Sequence, residues 1–125
     1  MPPASEQSSS SPTATKQLGP TWTPVPWKAV NIDDSFWTPH LHFNREQTLP
    51  RIYQMCKETG RIDALRLNWK PGMEPTPHIF WDSDVAKWLE AASYSLATHP
   101  DPTLEAQVDE VIRLLVAAQQ PGRSS

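Results

Sequence analysis

Cysteine is nearly absent, with Cys56 alone in 125 residues. A single thiol excludes an internal disulfide and any metal site built from several cysteines of this chain. Glycine is scarce too, at four residues, and no glycine-rich phosphate loop appears. Neither a G-x-S-x-G elbow nor an H-E-x-x-H pair is present. No run of about 18 apolar residues occurs, so no membrane-spanning helix is expected. Charge of one sign is also lacking: the net charge is −3, with acids and bases interspersed. That gives no basic patch with which to grip nucleic acid. The start of the chain lacks the basic residues and the apolar run of about 7–15 residues that mark a secretion signal. The cytoplasm is the expected compartment.

Proline and tryptophan, by contrast, are plentiful, at 14 and six residues. The first 24 residues are rich in Ser, Thr and Pro, and they cannot bury enough apolar surface to offset the entropy of ordering them. Residues 1–24 are therefore expected to form a disordered tail. Lys28–Ile32 suits a short strand, closed by the turn residues Asp33, Asp34 and Ser35.

Three helices follow from the pattern. The first is expected over Asn44–Glu58, with Asn44 as its N-cap, Thr59–Gly60 as its stop and a kink or division at Pro50. Leu49, Ile52, Tyr53 and Cys56 fall at i, i+3, i+4 and i+7, which puts Cys56 on the apolar stripe as core filling. Arg61–Phe80 holds Pro71, Gly72, Pro75 and Pro77 and reads as a loop. The second helix, capped by Asp82 or Ser83, carries Val85, Trp88, Leu89, Ala92 and Leu96 on one stripe. In the turn after it, Asp101 is placed as cap and Pro102 as first helical residue of a third helix reaching about Gln119. The second and third helices should form an antiparallel hairpin. From Val111 to Ala118 every residue except Arg113 is apolar, and such a helix is buried on several sides. One hairpin partner and one kinked helix cannot cover it, so the chain is expected to be the opening part of a larger helical domain.

Four features could carry chemistry. Phe80–Trp81–Asp82–Ser83–Asp84 places two aromatics and two carboxylates at a helix start. It serves either helix capping and packing or a carbohydrate subsite, with an aromatic face for the sugar and carboxylates for its hydroxyls. Asp82 and Asp84 as a glycosidase acid/base pair is the weaker reading, because adjacent helix-start acids serve the dipole and point apart. His40 and His42 could present two imidazoles on one side of a strand, without accompanying ligands, so surface or packing roles are favoured. His78 lies before the second helix and is the histidine placed to reach a pocket mouth. Of the tryptophans, Trp88 belongs to the core and Trp37 to the entry segment beside Phe36, which leaves Trp69 and Trp81 as ligand candidates.

These residues also carry a resemblance. The order Asp34–Ser35–Phe36–Trp37, Thr48–Leu49–Pro50, Phe80–Trp81–Asp82–Ser83–Asp84–Val85–Ala86–Lys87–Trp88–Leu89–Glu90–Ala91, His99–Pro100–Asp101–Pro102 and Ala117–Ala118–Gln119–Gln120–Pro121 is similar to the N-terminal part of glycoside hydrolase family 127. These are the β-L-arabinofuranosidase-like enzymes, and the resemblance runs from about Pro26 to Pro121. It implies that residues 25–121 are the first part of an (α/α)6 barrel, and that the whole chain is an all-α, incomplete barrel fragment. It further implies a parent enzyme that removes terminal β-L-arabinofuranose with retention. In that family a cysteine nucleophile sits at a zinc site with further cysteines and a glutamate, and another glutamate is the acid/base. All lie downstream of the matched segment, and Cys56 matches none of them.

Substrate-binding candidates are thus His78, Phe80, Trp81, Asp82, Ser83 and Asp84, with no catalytic or metal-binding residue expected in this chain. Zinc is expected only of the full-length family, and the implied partner is an L-arabinofuranose-containing glycan, with neither nucleic acid nor membrane. Residues 122–125 depart from the family's Asp-Gly-Tyr-Leu continuation, and the fragment is expected to be inactive alone. The rival is a small, non-catalytic helical interaction protein that docks through its apolar third helix. A sugar-binding module built on the tryptophans is a third reading.

Overall fold

The computed structural model describes residues 19–120, in which every regular element is helical. The expected tail lies outside the described residues up to residue 18, as does the divergent end, while 19–24 is irregular and exposed. No helix among the described residues is long and apolar enough to cross a membrane. The expected strand is not formed: Trp27–Ala29 is a 3-10 turn, and the chain beyond it is extended but unpaired. A lone extended segment has no ladder to join, so its propensity has nothing to act on. Its anchor is aromatic instead, with the Trp27 ring edge-on to Tyr94 at 4.9 Å between centroids.

Helical structure begins seven residues earlier than the sequence suggests. It runs as α1 (Trp37–Phe43), a π turn (Asn44–Thr48) and α2 (Leu49–Glu58) without a break. The signal overlooked is Asp34: its carboxylate accepts from the backbone N–H groups of Phe36 and Trp37, and Thr38 Oγ1 accepts from Asp34 N–H at 3.0 Å. Asn44 is therefore mid-helix rather than a cap. Pro50 has no N–H and its ring crowds the carbonyl four residues back. The chain answers by widening before it, where Leu49 N–H donates to the Asn44 carbonyl five residues back. The irregularity expected after Leu49 thus precedes it.

α2 ends at a glycine that two constraints require. Gly60 has φ +71°, and a Cβ there would stand 2.7 Å from Pro75 Cγ of the following loop. After it, Asp63–Arg66 forms a 3-10 turn that buries Ala64 and Leu65, with Ile62 fully buried just before. The expected loop is thus pinned at its start and irregular from Leu67 to Phe80.

α3 (Trp81–Leu96) and α4 (Pro102–Ala118) pack on each other as the expected hairpin. Asp101 caps α4 as expected, its Oδ1 accepting from Thr103 N–H at 2.9 Å and Leu104 N–H at 3.1 Å. The N-cap of α3 is Phe80, with no side-chain cap bond, two or three residues ahead of the expected Asp82 or Ser83. Asp82 and Ser83 lie within its first turn, where Ser83 Oγ donates back to the Phe80 carbonyl at 3.2 Å.

One cluster joins α2, the 3-10 turn after it and the hairpin: Leu49, Tyr53 and Cys56 of α2, Ile62 and Leu65, Val85, Trp88 and Ala92 of α3, and Leu104, Val108 and Val111 of α4. Trp88 is the hinge of the packing. Its ring meets Tyr53 at 4.9 Å, and its Nε1–H donates to the Leu49 carbonyl at 3.0 Å. Tyr53 Oη in turn donates to Glu110 at 2.7 Å, and Lys57 Nζ binds the same carboxylate at 3.0 Å, tying α2 to α4.

Candidate functional site

The segment His78–Asp84 turns from the irregular loop into the first turn of α3. Phe80 N–H donates to His78 Nδ1 at 3.2 Å, and the two rings lie 5.6 Å apart. Trp81 N–H donates to the His78 carbonyl at 3.0 Å and Asp84 N–H to that of Phe80 at 2.9 Å, so the corner is closed by backbone bonds. Phe80 is 58% exposed and its neighbour Ile79 is 78% exposed. The corner therefore presents an apolar tip with an imidazole beside it.

The six candidates divide into two groups. His78, Phe80 and the exposed Asp82 lie at the corner with no tertiary hydrogen-bond partner among the described residues. Trp81, Ser83 and Asp84 face structural work: Trp81 packs against the core and Ser83 bonds back to Phe80. Asp84 accepts from Arg61 Nε at 2.8 Å. That hydrogen bond holds the Asp84 carboxyl below the usual carboxylate range, with the charges of Arg61, Lys87 and His78 acting in the same direction. Asp84 is thus a fixed anion, poorly suited to donating a proton. Arg61 has no local signal, because it lies 23 positions before its partner, across the proline-rich loop.

Behind the corner, α2 and α3 enclose an open cleft of about 400 Å³. Leu49, Ile52, Met55, Trp88 and Ala91 give it apolar walls, and Arg61, Asp84 and Lys87 are its charged residues. Cys56 lines it as well, at 5% exposure, as the expected core filling. Burial pushes the Cys56 thiol up, against the lowering effect of Arg61, so this thiol is disfavoured as nucleophile or metal ligand.

His40 and His42, considered on a strand, lie on α1 instead. His40 Nδ1 donates to the Phe36 carbonyl at 2.7 Å, and His42 Nδ1 accepts from Arg45 Nη2 at 3.2 Å. Two residues apart on a helix, they do not share a face. Among the described residues no three His, Cys, Asp or Glu side chains gather as a metal site would need. The zinc implied by the family resemblance therefore has no fitting donor set there. Trp69 points back into its own loop, its Nε1–H donating to the Met73 carbonyl at 3.0 Å.

Comparison with known proteins places this architecture. The family model for the β-L-arabinofuranosidase GH127 catalytic domain matches residues 29–123. A non-reducing end β-L-arabinofuranosidase of Bifidobacterium longum subsp. longum is 57% identical over 42 residues, covering 34% of this chain and 6% of that protein. A solved GH127 β-arabinofuranosidase superposes with a TM-score of 0.68 at 37% identity, over 78% of this chain and 16% of its own. This chain therefore spans only a small part of the relatives it matches, and the interaction-protein reading gains nothing from them. The chain belongs to the GH127 β-L-arabinofuranosidase catalytic-domain family.

Proposed function

We propose that this chain forms the N-terminal part of an (α/α)6 catalytic domain that hydrolyses terminal β-L-arabinofuranosidic bonds with retention. The observation that carries the reading is the family match over residues 29–123, supported by the 0.68 TM-score of the superposition. Within that reading the His78–Asp84 corner supplies part of one wall of the sugar site. Phe80 offers a face to the sugar's C–H groups, and His78 and Asp82 offer hydrogen bonds to its hydroxyls. Trp81, Ser83 and Asp84 hold the corner in place. Nucleophile, acid/base and zinc ligands come from the rest of a full-length member, so the 125-residue chain does not turn over substrate alone.

A graft tests the proposal. The stretch of the solved β-arabinofuranosidase that superposes on this chain is replaced by the corresponding residues of this chain. We expect the graft to hydrolyse a synthetic β-L-arabinofuranoside with a retained anomer, and the isolated chain to leave it intact. Phe80→Ala or Asp82→Asn in the graft should raise KM by about tenfold, the scale of one lost sugar contact. A folded but inactive graft, or turnover by the chain alone, overturns the reading.

A further inference from the structure

The side chains that the His78–Asp84 corner presents do not hold it in place. His78 and Asp82 make only local hydrogen bonds, and Ile79 and Phe80 stand out in solvent. The bonds from Trp81 N–H to the His78 carbonyl and from Asp84 N–H to that of Phe80 close the corner on itself. Trp81 packs against the core, but apolar contact is non-directional and does not fix the corner's orientation. Among the described residues, one side-chain hydrogen bond reaches the corner from another part of the chain: Arg61 Nε donates to Asp84 Oδ2 at 2.8 Å.

The backbone on both sides of Arg61 is fixed. Gly60, before it, takes φ +71° and lies so close under Pro75 that the returning loop rests on the end of α2. Ile62, after it, is fully buried, and its N–H donates to the Cys56 carbonyl at 3.2 Å. The side chains of Arg61 and Asp84 are 22% and 33% exposed, so solvent and salt screen the pair only in part. The charge of Lys87 also acts on Asp84, but Lys87 belongs to α3 itself and cannot tie that helix to the end of α2.

We propose that Arg61 is a positioning residue for the sugar wall: through its bond to Asp84 it fixes the first turn of α3, and with it His78, Phe80 and Asp82, against the end of α2. The proposal rests on the GH127 reading above.

Hydrogen exchange on the full chain tests the pin without any need for activity. In Arg61→Met the amides of Trp81 and Asp84 should exchange about tenfold faster, while the amide of the buried Val111 on α4 keeps its protection. Equal acceleration at all three amides, or none at Trp81 and Asp84, overturns the pin. The sugar role is read in the graft. A displaced wall weakens the binding of substrate and transition state alike, so Arg61→Met should raise KM about fivefold and leave kcat within about twofold. Asp84→Asn should do the same, and the double variant should be no worse than either single one, because both remove one bond. Should Arg61→Met fail to fold, Asp84→Asn carries the same expectations alone. An unchanged KM, a loss confined to kcat, or effects that multiply in the double variant overturn the role. The two readings fail separately: an active graft whose KM is indifferent to Arg61→Met rejects the positioning role alone. A folded, inactive parent graft rejects the enzyme reading, whatever the exchange shows.

Discussion

Tyr53 shows how one side chain joins two tasks. Its ring packs on Trp88 in the core while its hydroxyl donates to Glu110 on α4. Burial first, and the hydrogen bond to Glu110 second, push the Tyr53 phenol from its ordinary 10.0 up to about 12. The same hydrogen bond, with Lys57 assisting, holds the Glu110 carboxyl below the usual range. The signs are opposite. The Tyr53 contribution is complete below pH 10.0, where the unfolded phenol also keeps its proton, and is lost as pH rises toward about 12. The Glu110 contribution is present above the ordinary carboxylate range and is lost as pH falls through the lowered value. Tyr53→Phe should therefore cost about 1 kcal/mol at neutral pH. It should also lose less stability than the parent between pH 10.0 and about 12, since the variant has no phenol at this position. Thermal melts of both proteins across that range check it. The apolar stripe made Tyr53 and Cys56 legible as core, but no local pattern pairs Tyr53 with a residue 57 positions away.

Among the elements, those with local signals are the ones the sequence announces. α4 carries its start in Asp101 and Pro102, and both serve as expected. The α1 start is hidden because Asp34, which braces it from two residues before the N-cap Phe36, looks from the sequence like the end of a strand, and only the fold shows its carboxylate turned onto Phe36 and Trp37. Pro50 signals an irregularity but not its form; a π turn is one of several ways to relieve the same clash. Asp101→Ala removes the acceptor for two N–H groups at the start of α4 and should cost about 0.5–2 kcal/mol. Asp101→Ser or Asp101→Asn should recover most of that loss. Urea melts of the three variants decide whether the cap acts through its side chain; equal losses in all three would show that it does not.

At the scale of the whole chain, burial is uneven. Among the described residues twelve hydrophobic residues form the core, whereas twenty large hydrophobic side chains are exposed, including Ile112, Leu115 and Val116 of α4. The all-round apolar surface expected of α4 is real, but only its Leu104–Val108–Val111 side is covered among the described residues. The hairpin and the core stripe were readable because both come from short-range periodicity, whereas the corner at His78–Asp84 depends on where a proline-rich loop returns. A core this small makes the isolated chain sensitive to single losses. Trp88 bridges α2 and α3, and Trp88→Ala should cost about 3–5 kcal/mol. That is comparable with the whole stability of a marginal domain, about 5–15 kcal/mol. We expect Trp88→Ala to abolish the cooperative melt of the isolated chain at 25 °C. In the grafted enzyme the same change should lower the melting temperature yet leave a folded protein, because packing outside the twelve-residue core adds to the stability. Equal collapse in both settings would mean that this core supports the larger domain, whereas survival only in the graft would mean that the larger domain supports this core.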